Sequence, residues 1–383
     1  MTVKFEALRA KYGDCLMLHF GPDGDRQLVL IDGGPSGVWK DALKPRLDQL
    51  REERGLDANA ALEIALMMVS HLDADHITGI LELMRPLAEN PNDPAAYNVK
   101  KAWVNTFDDL TGEKPAGASF GAADIAALPA SPLGAALAQT KSGIELASVG
   151  QGRELRNMIN ALFLQNNQPF NGLVTIDSAK NPAAIKGLKL TVVGPSQKNI
   201  DALQADWAKN VKPKLKEAKH AEVADYVDRS VYNLSSIVVL AEIDGKRILL
   251  TGDGRGDHAL AGLKEKGFLD ANGKMEVDIL KLPHHGSERD VKIDYFQSIR
   301  AKHYVISANG KFSNPDLPTL KMISDARKGD DDFTIWLTNP TNEFELPDIG
   351  KGVQAFFDAE KAAGRKYRVN QRKPKDLSVV IEL

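Results

Sequence analysis

The sequence predicts a layered α/β fold, of the α+β type, in which two groups of β-strands are interleaved with helices. The first group lies in the first third of the chain, and the second begins near residue 188. Between them lie an alanine-, glycine- and proline-rich stretch at 115–138 and an amphipathic pattern at 151–164. Because sheets and helices bury their apolar faces against each other, this order of elements indicates sheets that are covered by helices.

Short apolar runs bounded by turn residues predict the strands. These runs cover residues 3–8, 15–20, 27–31, 63–70, 101–105, 188–193, 236–243, 247–250, 277–281, 304–307, 334–337 and 377–383. Helical spacing predicts helices at 45–54, at 151–164 and over most of 200–227, with a break at Pro213. We interpret residues 89–187 as an insertion within a single domain that spans residues 1–383.

Composition narrows the class of protein. With 43% hydrophobic and 26% charged residues, the 383-residue chain has an ordinary globular composition. Its net charge of −3 gives no general basic field for a polyanion, and its one cysteine, Cys15, allows neither an internal disulfide nor a thiolate cluster. No signal-peptide pattern is visible, and the longest apolar stretch, 60–69, falls short of the ~20 residues that cross a bilayer. We therefore expect a cytoplasmic protein without membrane association.

The central motif places four potential metal ligands within six residues, directly after an apolar strand. These ligands are His71, Asp73, Asp75 and His76. Imidazole and carboxylate groups are the ligands expected at zinc, manganese or iron centres. Gly79 allows the chain to turn closely behind them. A solvated acidic turn is the alternative, and the matching motifs further along the chain disfavour it.

Further acids and histidines follow other predicted strands. Asp32 follows strand 27–31, Asp253 follows strand 247–250, and His284 and His285 follow strand 277–281. Polar residues at the ends of apolar strands are typical of α/β active sites. The alternatives are an ordinary Asp-Gly turn for Asp253 and a surface or helix-capping pair for the two histidines.

These motifs occur in an order that resembles metallo-β-lactamase-fold hydrolases. The order is Asp-Gly-Gly at 32–34, His-x-Asp-x-Asp-His-x-x-Gly at 71–79, Thr-Gly-Asp at 251–253 and His-His-Gly-Ser at 284–287. The chain is most similar to the ComEC-type branch, here without the membrane domain of ComEC. The Tyr-Gly-Asp that ends at Asp14, the segment 232–236 with Asn233 and Ser235, and the block 306–315 fit that branch. The resemblance runs from about residue 3 to about residue 320.

The resemblance implies a four-layer αββα metallo-β-lactamase sandwich with a helical insertion and with two metal ions at one edge between the sheets. It implies that His71 and Asp73 bind one ion, that Asp75 and His76 bind the other, and that Asp253 bridges them. His285, or its neighbour His284, would complete the second position. Asp32 and Asp14 would support the ligands from behind, as partners of metal-binding histidines usually do.

The sequence departs from the family at two places. Many members place a histidine where strand 188–193 ends, but here the chain reads Gly194-Pro195-Ser196. Many zinc enzymes have a histidine where this chain has Asp73. Both departures replace nitrogen ligands, which favours manganese or magnesium over tightly held zinc. The expected cofactors are two divalent ions, zinc or manganese, with magnesium as a further alternative.

The resemblance implies a metal-dependent phosphodiesterase or nuclease that acts on nucleic acid or on a small phosphodiester. Asp75 would accept the proton of the nucleophile, and whichever of His284 and His285 is not a ligand would stabilise the oxyanion or protonate the leaving group. Ser287, with Asn233 and Ser235, would donate hydrogen bonds to the substrate. The alternatives are a hydrolase of a small ester, lactone, thioester or amide, and a non-catalytic regulatory module that binds metal.

A run of lysines could serve a nucleic-acid substrate. It comprises Lys209, Lys212, Lys214, Lys216 and Lys219. The acidic residues that follow, among them Glu222 and Asp225, favour a solvated helix face instead of a phosphate-binding patch.

Overall fold

The computed structural model describes residues 3–57, 59–90, 96–106, 109–110, 141–206, 209 and 233–383. Within these ranges the chain forms 17 strands, eight α-helices and several short helical turns. The strands are β1 (Lys4–Leu8), β2 (Leu16–Phe20), β3 (Gln27–Ile31), β4 (Leu62–Ile64), β5 (Leu66–Met68), β6 (Tyr97–Val99), β7 (Lys101–Trp103), β8 (Gln165–Asn166), β9 (Ala183–Ile185), β10 (Leu188–Gly194), β11 (Val238–Ile243), β12 (Lys246–Leu250), β13 (Met275–Lys281), β14 (Ile299–Ile306), β15 (Thr334–Leu337), β16 (Arg368–Gln371) and β17 (Ser378–Glu382). The helices are α1 (Lys44–Glu53), α2 (Ala74–Glu89), α3 (Lys141–Ala161), α4 (Gln197–Asp206), α5 (Gly256–Glu265), α6 (Ile293–Ser298), α7 (Leu317–Ala326) and α8 (Pro347–Ala362).

Two large sheets organise the chain. The first has the strand order β17-β1-β2-β3-β5-β7-β8, and the second has the order β16-β15-β14-β13-β12-β11-β10-β9. Strands β12 to β15 pair in parallel, and so do β3 and β5. The loops that follow parallel neighbours leave a sheet at the same edge, which is where side chains from several loops can meet.

Three apolar cores define four layers, α-β-β-α. The inner faces of the two sheets pack against each other, for example through Val29 and Ile248. The outer face of the first sheet packs against α1, α2 and α3, and the outer face of the second packs against α5 to α8. Leu28 of β3 belongs to the outer core and Val29 to the inner core, so both faces of this strand are buried. This explains its unbroken apolar run and confirms the predicted layered fold.

The structure differs from the sequence prediction at several elements. The run 63–70 breaks at Ala65, so that β4 pairs with β6 while β5 joins the first sheet. The strand predicted at 304–307 begins earlier, at Ile299. Helices α2, α5, α6, α7 and α8 were not predicted. The stretch 115–138 and most of the predicted helix beyond α4, with Pro213, lie outside the described residues. Among the helices that are described, none combines the length and the apolar character needed to cross a bilayer.

A buried ion pair joins the first sheet to α1. Arg46 donates from Nε to Glu6 Oε2 at 2.8 Å and from Nη2 to Glu6 Oε1 at 2.7 Å. Burial favours the neutral form of Glu6, but the hydrogen bonds from Arg46 and His19 outweigh this effect and hold the pKa of Glu6 far below its usual range. The pair therefore stabilises the folded state only while Glu6 is ionised.

We predict that Arg46→Met destabilises the protein by about 3 kcal/mol at pH 7, because it removes the bidentate partner of a buried carboxylate and leaves only Lys4 and His19 beside it. The double variant Glu6→Gln, Arg46→Met should recover most of this loss. The depressed pKa of Glu6 means that the difference between the single variant and the wild type is fully present above the ordinary pKa of 4.5 and shrinks as the pH falls below it. Urea unfolding between pH 3 and about pH 8 tests this, and a pH-independent difference would contradict it.

Candidate metal centre

Loops from both sheets meet at one edge of the sandwich. The segment after β5 and the first turn of α2 belong to the first sheet, whereas the loops after β12 and β13 belong to the second. Gly79 in α2 lies so close to the loop after β3 that a Cβ atom at Gly79 would be 2.0 Å from the carbonyl oxygen of Gly33. Glycine at 79 thus lets the first turns of α2 approach that loop. Together these loops carry His71, Asp73, Asp75, His76, Asp253, His284 and His285.

The carboxylate of Asp253 lies at the centre of this group. Its Oδ2 atom is 3.8 Å from His71 Nε2 and 3.6 Å from His284 Nε2. Its Oδ1 atom is 3.3 Å from His76 Nε2 and 3.4 Å from His285 Nε2. Each oxygen of this one carboxylate therefore faces two imidazoles.

Two further carboxylates flank these pairs. Asp73 Oδ2 lies 3.4 Å from His71 Nε2, on the Oδ2 side of Asp253. Asp75 Oδ2 lies 3.4 Å from His285 Nε2, on the Oδ1 side. Asp73 and Asp75 thus lie on opposite sides of Asp253, while ligand atoms of His71, His76 and Asp253 also lie within 4.8 Å of one another.

Asp32 and Ser70 hold the two histidines of the first sheet. The backbone N–H and the hydroxyl of Ser70 donate to the two oxygens of Asp32, both at 2.7 Å, and His76 Nδ1 donates to Asp32 Oδ2 at 2.9 Å. Because its own proton is committed to Asp32, the Ser70 hydroxyl oxygen accepts from His71 Nδ1 at 3.1 Å. In the neutral rings this leaves both Nε2 atoms unprotonated and facing the centre.

The two histidines of the second sheet are held in the same way. His284 Nδ1 donates to Asp290 Oδ2 at 2.5 Å. His285 Nδ1 donates to the Ser307 carbonyl oxygen at 2.9 Å. All four imidazoles therefore present Nε2, and their outer nitrogens are anchored, as is usual for metal-binding histidines.

Several buried polar atoms at the centre have no hydrogen-bond partner among the described residues. They are Nε2 of His71, His76 and His285, with Oδ1 of Asp73 and of Asp253. Buried polar groups are otherwise almost always hydrogen-bonded, so atoms left over at one point need another partner. Imidazole nitrogens and carboxylate oxygens suit zinc, manganese or iron. The residues present thus fit a metal centre.

The electrostatics of the centre agree with this fit. Burial acts to raise the pKa of Asp253, but His285, His284 and His76 outweigh it and hold that pKa well below its usual range. Burial acts to lower the pKa of His76, but Asp253, Asp32 and Asp75 raise it well above its usual range. The clustered carboxylates therefore attract positive charge strongly, whether as protons on the histidines or as a cation.

A buried ion pair supports His285 from behind. Lys281 Nζ lies 2.6 Å from Asp14 Oδ2, and both side chains are fully buried. Asp14 Oδ1 lies 3.4 Å from His285 Nδ1. The ammonium group of Lys281 is therefore paired inside the protein and does not face a substrate.

The His-His-Gly turn has an unusual backbone. His284 (φ 45°), His285 (φ 55°) and Gly286 (φ 87°) are consecutive residues in the left-handed region. This conformation costs of order 1–3 kcal/mol for a non-glycine residue and persists where surrounding contacts enforce it, often at functional sites. Here it allows adjacent side chains to reach the two oxygens of Asp253, whereas adjacent side chains of a strand point to opposite faces.

Other predicted residues are not placed among these ligands. Gly194 and Pro195 end β10 and offer no ligand side chain. Ser235 and Ser287 are both buried. The hydroxyl oxygen of Ser287 accepts a hydrogen bond from the Arg289 N–H at 3.4 Å. Contacts of these two residues with a substrate stay predictions. The backbone of Asn233 begins a short helical turn, but its side chain is not described. Of the lysine run, only Lys209 is described, and it is exposed; Lys212, Lys214, Lys216 and Lys219 lie outside the described residues.

Sequence reasoning missed the groups that anchor the histidines. Ser70, Asp290 and Ser307 were not singled out for this role, and the pairing of Lys281 with Asp14 was not anticipated. Ser70 directly precedes the first ligand, and Asp290 follows His284 by six residues, so a search for acceptors near each histidine would have found these two. Nothing in the sequence indicates that the carbonyl oxygen of Ser307 accepts a hydrogen bond from His285.

Comparison with known proteins adds little about activity. No protein-family model and no curated protein matches the sequence. Solved structures do match. One is a protein from Parabacteroides distasonis, provisionally named a metal-dependent hydrolase (11% identity, TM-score 0.34, covering 86% of this chain and 91% of that one). Another is CmlA, a diiron β-hydroxylase from Streptomyces venezuelae (10% identity, TM-score 0.40). The alignment covers 100% of this chain and 54% of the CmlA chain.

A third matching structure is a protein of unknown function from Enterococcus faecalis (9% identity, TM-score 0.31, covering 98% of this chain and 78% of that one). At such low identities and TM-scores, the assignment of the centre rests on its own geometry.

We predict that Asp32→Asn weakens metal binding by roughly 10- to 100-fold without unfolding the protein, because Asp32 orients His76 directly and His71 through Ser70. Asparagine tolerates the left-handed backbone of Asp32 (φ 58°), so the loop should persist. Titration against a competing chelator measures the affinity. The control is Asp278→Asn, which alters another buried aspartate, bonded to Lys302 and to the Arg247 N–H. Equal affinities for all three proteins would contradict the role given to Asp32.

Proposed function

We propose that this protein is a hydrolase that uses two divalent ions, and that the bond it cleaves is a phosphodiester, as in the ComEC-type branch that the sequence resembles. The observation that carries the proposal is the arrangement around Asp253. A single buried carboxylate faces two sets of ligand atoms, one on each oxygen, and the histidines of both sets present Nε2. This arrangement suits a centre with two ions better than a single site.

His71 and Asp73 would hold one ion, while Asp75, His76 and His285 would hold the other. Asp253 would bridge the two. Ions bound in such a centre supply Lewis acidity, which lowers the pKa of a coordinated water and polarises the scissile group. Asp75 would accept the proton of the nucleophile, and the 16% exposure of its side chain at the edge of the group supports this role. Asn233, Ser235 and Ser287 stay candidates for hydrogen bonds to the substrate.

Two cations near the centre favour an anionic substrate. Lys311 Nζ lies 4.3 Å above the ring of Tyr12, the neighbour of Gly13, and Gly13 packs directly on the carbonyl oxygen of Asp75. Arg289 is exposed on the loop that carries His285. Of the ion pairs formed by described residues, none involves either side chain, so both can bind a phosphate oxygen.

We also propose that residues 1–383 form a single domain in which 89–187 is an elaboration. Strands β7 and β8 extend the first sheet, and β9 extends the second, which supports continuity of this segment with the core. Helix α3 lies against the metal-binding loop, because a Cβ atom at Gly152 would be 2.9 Å from Leu72 Cδ1. This contact supports a role for the elaboration in access to the centre.

We predict that the wild-type protein, stripped of metal and reloaded with manganese or zinc, cleaves labelled single- or double-stranded DNA or bis(p-nitrophenyl) phosphate. The double variant Asp75→Ala, His76→Ala should lose roughly a thousandfold or more in rate, since metal ions supply several kcal/mol of transition-state stabilisation. Rates of product release, measured with the metal content of each sample, test this.

The control for the double variant is Asp278→Asn, which should keep the wild-type rate. Activity retained by Asp75→Ala, His76→Ala would refute the proposed mechanism. A wild-type protein that binds metal and cleaves p-nitrophenyl acetate or a lactone, but no phosphodiester, would favour the small-ester alternative. Bound metal without hydrolysis of either kind would favour a regulatory metal-binding module.

A further inference from the structure

The first ion position is short of protein ligands in the assignment above. Its ligands would be His71, Asp73 and the bridging Asp253. At the end of β10, where many members of the family have a histidine, this chain has Gly194 and Pro195. The second position has Asp75, His76, His285 and Asp253. A centre of this composition would bind its two ions very unequally, unless another side chain completes the first position.

His284 faces the incomplete position. Its Nε2 atom is 3.6 Å from Asp253 Oδ2, the oxygen that also faces His71 Nε2. The neighbouring His285 Nε2 instead faces Asp253 Oδ1, at 3.4 Å, and Asp75. The two adjacent histidines thus face different oxygens of the same carboxylate, each with one histidine of the first sheet opposite.

We propose that the two histidines of the turn bind different ions and that His284 supplies the ligand missing from the end of β10. Each ion then has two imidazoles, one terminal carboxylate and a shared carboxylate. This inference rests on the two-ion centre proposed above but not on its substrate. It also replaces the reading in which one histidine of the pair acts only as a proton donor.

Two features of the chain support this role for His284. Asp290 accepts from His284 Nδ1, which fixes the ring with Nε2 inward, as Asp32 does for His76. The left-handed backbone at both His284 and His285 turns the two side chains toward Asp253 together. A proton donor alone would not require a turn that aims both rings at the same carboxylate.

The substitution His284→Gly tests the proposal directly, because glycine favours the left-handed backbone found at this position (φ 45°, ψ 49°). We expect this variant to bind one manganese ion where the wild type binds two, with at least a hundredfold weaker binding of the other ion. The metal-free variant should still unfold in one cooperative transition, which separates loss of a ligand from loss of the fold. Equilibrium dialysis with elemental analysis counts the ions, and the Mn(II) EPR signal should lose the coupling between two neighbouring ions.

Two further variants sharpen the test. Asp290→Asn keeps the imidazole but loosens its anchor, so it should weaken only the ion that is assigned to His71 and His284, by roughly 10- to 100-fold. His303→Ala removes a half-buried histidine of β14 that accepts from Trp336 Nε1, and it should bind two ions like the wild type.

Two bound ions with wild-type affinity in a folded His284→Gly variant would overturn the proposal, and a changed pH–rate profile in that variant would then identify His284 as a proton donor. A wild type that binds only one ion at saturating manganese would overturn it as well. If the ion count falls from two to one while neither protein cleaves a phosphodiester, the ligand role stands and only the proposed substrate fails.

Discussion

The buried carboxylate of Asp253 sets the main constraint on this molecule. An ionised carboxylate inside a protein is unfavourable unless other groups compensate its charge. Here four imidazoles compensate it, two from the first sheet and two from the second. Both sheets must therefore bring their loops to the same edge, and the order of strands in each sheet achieves this. The candidate metal centre is thus also one place where polar contacts join the two halves of the sandwich.

The groups behind the ligands extend this constraint through the surrounding loops. The Ser307 carbonyl oxygen accepts a hydrogen bond from His285 Nδ1, and the Ser307 hydroxyl donates to the carbonyl oxygen of Gly13 at 2.6 Å. Gly13 in turn packs on the backbone of Asp75, and the Asp14 N–H donates to the same Asp75 carbonyl at 3.2 Å. The hairpin loop between β1 and β2 therefore connects a ligand of one sheet to the anchor of a ligand from the other. A change in any of these loops alters the position of several ligands together.

The sequence predicted most of this arrangement where a local pattern decides the structure. Residues 28–31 are all apolar because both faces of β3 are buried, and the spacing of His71 to His76 places four candidate ligands around the start of one helix. Prediction failed where the outcome depends on distant partners. A lysine after an apolar run gives no sign that, like Lys281, it is buried against Asp14. Likewise, the division of His284 and His285 between the two oxygens of Asp253 depends on a left-handed turn that the residue types do not indicate, since such backbones favour glycine.

The strained histidines and buried carboxylates of the centre are unfavourable for folding, and the rest of the fold offsets them. Three apolar cores, one between the sheets and one under each helical layer, bury apolar side chains throughout the sandwich and stabilise the folded chain. The edge can therefore contain two strained histidines and a cluster of buried carboxylates that would destabilise a smaller domain. Cations that bind only the folded state offset part of this cost, because binding shifts the folding equilibrium in proportion to affinity and concentration. Since the ligands come from both sheets, such ions would also oppose separation of the two sheets at this edge.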